Sequence, residues 1–205
     1  MKSVLLITPD FRPDIGGIQN VLYSLARHMA NFKISVVAPG TEGTKLFDEE
    51  QPFKIYRTHR LFKKPGKLSL FPLLLRSLEA LRKERPDLVI CGHILAGPIA
   101  LLFKKLYGIP YAVHTYALEM MGTKYRRIVA SLLSNADRIF ALSEFTARFI
   151  LSLGIEENRI ARIPPTVDCE DFNPSVDGSK VIRQFGLEGG RVILTVSRLD
   201  ERERY

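Results

Sequence analysis

Short runs of valine, isoleucine and leucine recur along this chain, and segments with a helical repeat fill the intervals between them. That alternation limits the fold more than any other feature. The runs Val4–Ile7, Ile34–Ala38, Lys54–Tyr56, Leu88–Cys91, Tyr111–Val113 and Arg138–Leu142 read as strands. Between the first two, Ile18, Val21, Leu22, Leu25 and Met29 fall at i, i+3, i+4, i+7 and i+11, one stripe of a helix. Phe71, Leu74, Leu75, Leu78 and Leu81 form a second stripe, with Pro72 in its first turn and Pro86 ending it. Tyr125, Ile128, Val129, Leu132 and Leu133 form a third. Strands this apolar are buried on both faces. The expectation is an α/β fold, a Rossmann-like parallel sheet with helices on both faces.

A chain of 205 residues, 46% hydrophobic and 25% charged, has enough apolar surface for one full core and the start of a second. No apolar run approaches the roughly 18 residues of a membrane span, and the Val4–Ile7 run is too short for a secretory signal. The proline-rich stretch from Pro164–Pro165 to Pro174 interrupts the alternation. A short helical piece, Lys180–Phe185, and a strand, Val192–Val196, are expected after it. The reading is one domain over 1–170, with 171–205 as linker and opening of a truncated second. A strand without partners has unpaired edges, so Val192–Val196 is expected to pair with a second copy as a dimer. Cys91 and Cys169 form neither a disulfide framework nor a metal-ligand pattern, so no metal and no cofactor is expected, and the setting is cytoplasmic.

The net charge is +8, and its location matters more than its size. Ten basic residues against two acidic ones between Lys54 and Arg85 account for all of it. Arg57, Arg60, Lys63, Lys64 and Lys67 lead into the leucine-rich second helix, which suits docking on an anionic membrane surface. A solvated loop before a core-facing helix is the plainer alternative, but it leaves the clustering unexplained. No nucleic-acid motif accompanies the charge, and no nucleic acid is expected as partner.

Ligands of open parallel sheets sit beyond the carboxyl ends of the strands. There, Thr8–Gly17 ends in Gly16–Gly17 at a helix start, where backbone N–H groups and the helix dipole suit a phosphate; a plain turn fits the residues equally well. The loop lacks the third glycine of a dinucleotide fingerprint, and no Walker A pattern occurs. His114 and His93 each follow a strand and could orient a hydroxyl; a core histidine satisfied by backbone is the alternative for both. His28 and His59 receive no role. Arg198, after the last expected strand, could clamp a phosphate.

Taken together, six segments resemble the retaining glycosyltransferases of family 4, which have the GT-B fold of two facing Rossmann-like domains. They are Pro9-Asp-Phe-Arg-Pro-Asp-Ile-Gly-Gly-Ile-Gln19, Arg85-Pro-Asp-Leu-Val89, Val113-His114, Asn135-Ala-Asp-Arg-Ile-Phe-Ala-Leu-Ser143, Ile163-Pro-Pro-Thr-Val-Asp168 with Phe172, and Val192–Leu199. They run in the family's order over nearly the whole chain.

The resemblance implies transfer of a sugar from a nucleotide-sugar donor to a hydroxyl acceptor, with this chain supplying the acceptor-side domain. It places Gly16 and Gly17 at the donor diphosphate, His114 at the transferring sugar and Arg198 at the leaving diphosphate. It also gives the basic stretch a task, receiving an anionic or lipid-linked acceptor at the inner face of a membrane. The family's lysine would follow Glu203-Arg204-Tyr205 directly, and its paired glutamates would lie further on, so a truncated and inactive piece of a longer enzyme is expected. Two positions depart from the family pattern: Ser197 stands where a glycine is usual, and Thr166 stands at the glycine of the interdomain turn, where positive φ costs a β-branched residue. Glu119 is the acid nearest His114 in sequence and is not assigned as a base. Two other readings remain: a sugar-nucleotide epimerase of similar shell, and a non-catalytic module docking anionic membrane or nucleic acid.

Overall fold

The computed structural model describes residues 1–59, 70–116, 126–170 and 172–196. Seven parallel strands form one sheet: β1 (Lys2–Ile7), β2 (Phe32–Pro39), β3 (Lys54–Thr58), β4 (Leu88–Cys91), β5 (Tyr111–Thr115), β6 (Arg138–Ala141) and β7 (Ile160–Arg162). Their order across the sheet is β3-β2-β1-β4-β5-β6-β7. The helices are α1 (Gly17–His28), α2 (Thr44–Glu49), α3 (Leu70–Glu84), α4 (Gly97–Tyr107), α5 (Arg126–Asn135), α6 (Glu144–Leu151) and α7 (Ser179–Gln184). This is the expected α/β, Rossmann-like sheet. The short β7 and helices α2, α4 and α6 are additions to the sequence reading.

Alternation along β1 builds two cores. Leu5 and Ile7 enter one layer with residues of α3, α4, α5 and α6, including Leu73, Phe103, Leu133 and Ile150. Val4 and Leu6 enter the other with Phe11 and with Leu22 and Ala26 of α1. A leucine as fully buried as Leu22 contributes about 1.5–3 kcal/mol.

Two aspartates set the sheet's register by the same device. Asp87, just before β4, accepts the Ser3 N–H at 2.7 Å and donates its own N–H to Ser3 O at 2.8 Å. Asp137, just before β6, accepts the Tyr111 N–H and returns its N–H to Tyr111 O, both at 2.9 Å. Each clamp crosses to the neighbouring strand and satisfies backbone groups that the start of a parallel ladder leaves open.

Helix α3 bears out the expected helix and corrects two residues of its stripe. Its inward face is Leu73, Ser77, Ala80, Leu81 and Glu84, whereas Phe71 and Leu75 are 64% and 51% exposed. Leu81 of the expected stripe is buried and Leu74 and Leu78 pack against the same core, while the small Ser77 and Ala80 let the helix lie close to the sheet. Glu84 is drawn in by charge. Lys33 Nζ lies 2.8 Å from Oε2, Lys54 Nζ donates to Oε1 at 3.2 Å, and the Tyr56 hydroxyl donates to it at 2.6 Å. The lysine at 33, with Tyr56, holds this carboxyl down to about 2. In α5 the buried residues are Val129, Leu132 and Leu133, and Ile128 faces solvent.

The chain divides into two compact units, Met1–Thr166 and Val167–Tyr205. In the second, Asp177 accepts the Ser179 N–H at 2.9 Å at the start of α7. Residues 192–196, expected as a strand, join no ladder, and Ile193 is 95% exposed. A strand is defined by its partners, and none pairs here among the described residues. No helix among the described residues is long and apolar enough to cross a membrane.

Candidate functional site

The sheet's strand order reverses direction between β1 and β4, the switch point whose crevice beyond the carboxyl ends of the strands is where open parallel sheets take ligands. Gly92 fixes how closely the two ends approach. A Cβ on it would lie 2.7 Å from Leu22 Cδ1 and 2.9 Å from Thr8 Cβ, and its N–H donates to Ile7 O at 2.9 Å.

The loop from Thr8 to Gly17 runs along this crevice. Thr8 Oγ1 donates to Asp10 O at 3.0 Å and accepts the Asp10 N–H at 3.1 Å, which turns the chain at once. Gly16 caps α1 in extended conformation with no side-chain cap, and no acidic residue occupies the first turn. The leading N–H groups of α1 therefore present their partial positive charge without a capping side chain among the described residues.

His114 ends β5. Tyr111 and Val113 belong to one core layer and Ala112 to the other, so His114 lies on the α1 side of the sheet, edge-on to Phe140 at 6.2 Å. It is 0% exposed, and neither ring nitrogen has a hydrogen-bond partner among the described residues. Burial takes the imidazole from its ordinary 6.5 down to about 4, so it is neutral at pH 7.

Tyr116, two residues on, is the residue sequence reasoning missed. Its ring stacks on His114 with centroids 4.8 Å apart and planes within 18°, and His93 stacks on it at 6.3 Å. The Tyr116 hydroxyl donates to Gly92 O at 3.0 Å. His93 Nδ1 accepts the Leu95 N–H at 3.1 Å. Asp10, also unassigned from sequence, stands at the same edge. Burial raises its carboxyl, His93 pulls it back, and Asp14 pushes it up. The pattern His-x-Tyr at a strand's end was the available signal, since alternate residues share a face.

Of the other expected site residues, Arg57 lies at β3 and turns inward. Its side chain is 13% exposed, paired with Asp48 at 2.8 Å. It is a tie within the domain rather than a cation offered to a surface. Arg60, Lys63, Lys64, Lys67, Glu119 and Arg198 fall outside the described residues. His28 is exposed and bonded through Nδ1 to Ser24 O. A cavity of about 390 Å³ at the amino ends of β5 and β6 is lined by Lys104, Asn135, Asp137 and Arg159. Its cations already serve protein acceptors: Lys104 donates to Asn135 O and Asp137, and Arg159 to the carbonyls of Leu133, Ser134 and Ala136. They cap the end of α5.

The model of Glycosyltransferase Family 4 matches residues 15–171. The chain belongs to glycosyltransferase family 4. Among its relatives is the GDP-mannose-dependent alpha-(1-6)-phosphatidylinositol monomannoside mannosyltransferase of Mycolicibacterium smegmatis. It is 29% identical over 214 residues, 98% of this chain and 54% of the relative. This family-4 chain thus spans about half the length of the curated relative it matches. Among solved structures, Anabaena Alr3699/HepE in complex with UDP-glucose superposes with a TM-score of 0.67 at 18% identity, covering 92% of this chain and 50% of that one. UDP-N-acetylglucosamine 2-epimerase from Rickettsia bellii superposes at 0.60 and 16% identity, over 91% and 51%. A protein bound to UDP-glucose and an epimerase share this sheet, so the fold alone does not choose the chemistry.

Proposed function

We propose that this chain is the acceptor-side part of a retaining glycosyltransferase that moves a sugar from a nucleotide-sugar donor to a hydroxyl acceptor. The observation that carries the reading is the family match across the crevice. Beside it stand an uncapped α1 start and a buried histidine with both nitrogens unpartnered among the described residues. On this reading the donor diphosphate lies against Gly16 and Gly17, where the N–H groups stabilise the charge gained as the sugar's C1–O bond breaks. The acceptor hydroxyl oxygen attacks C1 from the side the diphosphate leaves. Its proton passes to the departing phosphate oxygen. His114, neutral near pH 7, offers one donor and one acceptor to a sugar hydroxyl and orients the ring rather than supplying a proton. Arg198 would join the amides at the leaving group. The 205 residues alone would turn over no donor.

A lipid-linked acceptor is the finer part of the proposal. The named relative acts on a phosphatidylinositol mannoside, and this chain's whole net charge lies within 54–85. Two experiments test the reading. The full-length protein should hydrolyse one of UDP-, GDP- or ADP-sugars slowly without acceptor, with the rate falling about a hundredfold in His114→Ala. No turnover and no sugar-nucleotide binding by calorimetry would refute the transferase. Changing Lys63, Lys64 and Lys67 to serine should weaken binding to anionic liposomes; equal binding would refute the lipid face.

A further inference from the structure

Arg57 makes more contacts than a tie between β3 and α2 requires. Nε and Nη2 hold Asp48 of α2 at 3.1 and 2.8 Å, Nη1 donates to Pro39 O at the end of β2 at 3.0 Å, and Nη2 reaches Arg12 O at 2.6 Å, 45 residues back. The guanidinium also lies 5.8 Å from the ring centroid of Phe11, itself buried against Tyr23 and Phe53. Arg12 is pinned from its other side: its guanidinium donates to Asn20 Oδ1 of α1 at 2.9 Å and sits 4.6 Å over Tyr23. The Thr8–Gly17 loop is therefore held at its middle between β3 and α1, four residues before Gly16.

We infer that Arg57 is the positioning residue of this loop, fixing where Gly16–Gly17 and the start of α1 stand at the crevice. Only a planar fork with five donors serves a carboxylate and two carbonyls together. Lysine at 57 keeps the ion pair with Asp48 and loses the carbonyls. The link to a diphosphate rests on the transferase reading; the anchoring of the loop does not.

The two halves separate in one experiment. In the 205-residue chain, hydrogen exchange is compared for wild type, Arg57→Lys and Asp48→Asn. Arg57→Lys should speed exchange of the Phe11–Gly17 amides about tenfold while β4 and β5 amides stay unchanged. Asp48→Asn should loosen α2 more than the loop. Loop exchange within about twofold of wild type, or a rise spread evenly over the domain, overturns the positioning role. In the full-length protein, Arg57→Lys should weaken UDP or GDP binding about tenfold. A loosened loop with unchanged affinity for both nucleotides overturns the role at the diphosphate. If wild type still hydrolyses a donor, the transferase reading survives that failure.

Discussion

His114 should be a net cost to the fold, and acid should reveal it. Its ring is taken from water, neither nitrogen is bonded among the described residues, and its proton affinity falls from 6.5 to about 4. As pH falls below 6.5 the unfolded chain binds a proton at this position and the folded chain does not, so stability falls from pH 6.5 to 4 and levels off beneath. At 1.36 kcal/mol per unit, the loss is about 3 kcal/mol, the whole of it present in wild type and absent from His114→Phe. The phenylalanine keeps a ring against Tyr116 and Phe140 and removes two unpaired polar atoms, so it should also stabilise the domain by about 1–2 kcal/mol at pH 7. Urea unfolding of both proteins at pH 7, 6, 5 and 4 measures the difference, and contributions from other groups, Glu84 included, cancel in the comparison. A proton NMR titration of the His114 Cε1–H places the midpoint directly. Curves that stay parallel down to pH 4, or a midpoint near 6.5, would refute the argument. Stabilisation at pH 7 together with loss of donor turnover in the full-length protein would mark a residue kept for its chemistry against its cost to folding.

Glu84→Gln should lose about 1–2 kcal/mol at pH 7 by urea unfolding, the two lysines being exposed enough for water to screen them. The carboxylate's contribution is complete above its ordinary 4.5 and is lost as pH falls through about 2, so the gap to the variant should close over that range. Gly92→Ala should cost about 1–3 kcal/mol by thermal or urea unfolding, because Leu22 and Thr8 already fill the space a methyl would take. Tyr116→Phe keeps the ring stack and loses the bond to Gly92 O, which should cost about 0.5–1.5 kcal/mol in the same assay.

The sheet was legible because its strands are buried on both faces, and Val4–Ile7 or Leu88–Cys91 have no other way to hide so much apolar surface. Strand β7 escaped because Ile160–Arg162 is three residues with one apolar side chain facing the core. Helix α4 escaped because apolar residues surround it: Ile99, Ala100 and Phe103 are buried, but Leu102 and Leu106 are exposed, so no stripe stands out. At the site, Gly16–Gly17 and His114 could be located from the ends of their strands. Asp10 could not, because what makes it notable is the company of His93, far away in sequence, and for Tyr116 only the His-x-Tyr alternation was there to read, its bond to Gly92 O joining residues distant in sequence. The basic stretch taught a different lesson. Composition treated Arg57 as one of a cluster, whereas the fold spends its guanidinium on Asp48 and two carbonyls. Charge counts reveal a surplus without revealing which members face outward.

The Asp87 clamp on Ser3 has a consequence in time. Strand β1 is an interior strand of the sheet, yet one of its neighbours, β2, ends at Pro39, and the other, β4, begins only at Leu88. During synthesis at about 5–20 residues per second, the Val4–Ile7 edge waits several seconds with its backbone groups unpaired. Any other apolar strand in reach is a competitor during that interval. When β4 does arrive, a shift of one residue would put Val89 and Cys91 in the wrong layer and take Asp87 out of reach of the Ser3 N–H. The aspartate acts as a proofreader at the moment the two halves of the sheet first meet.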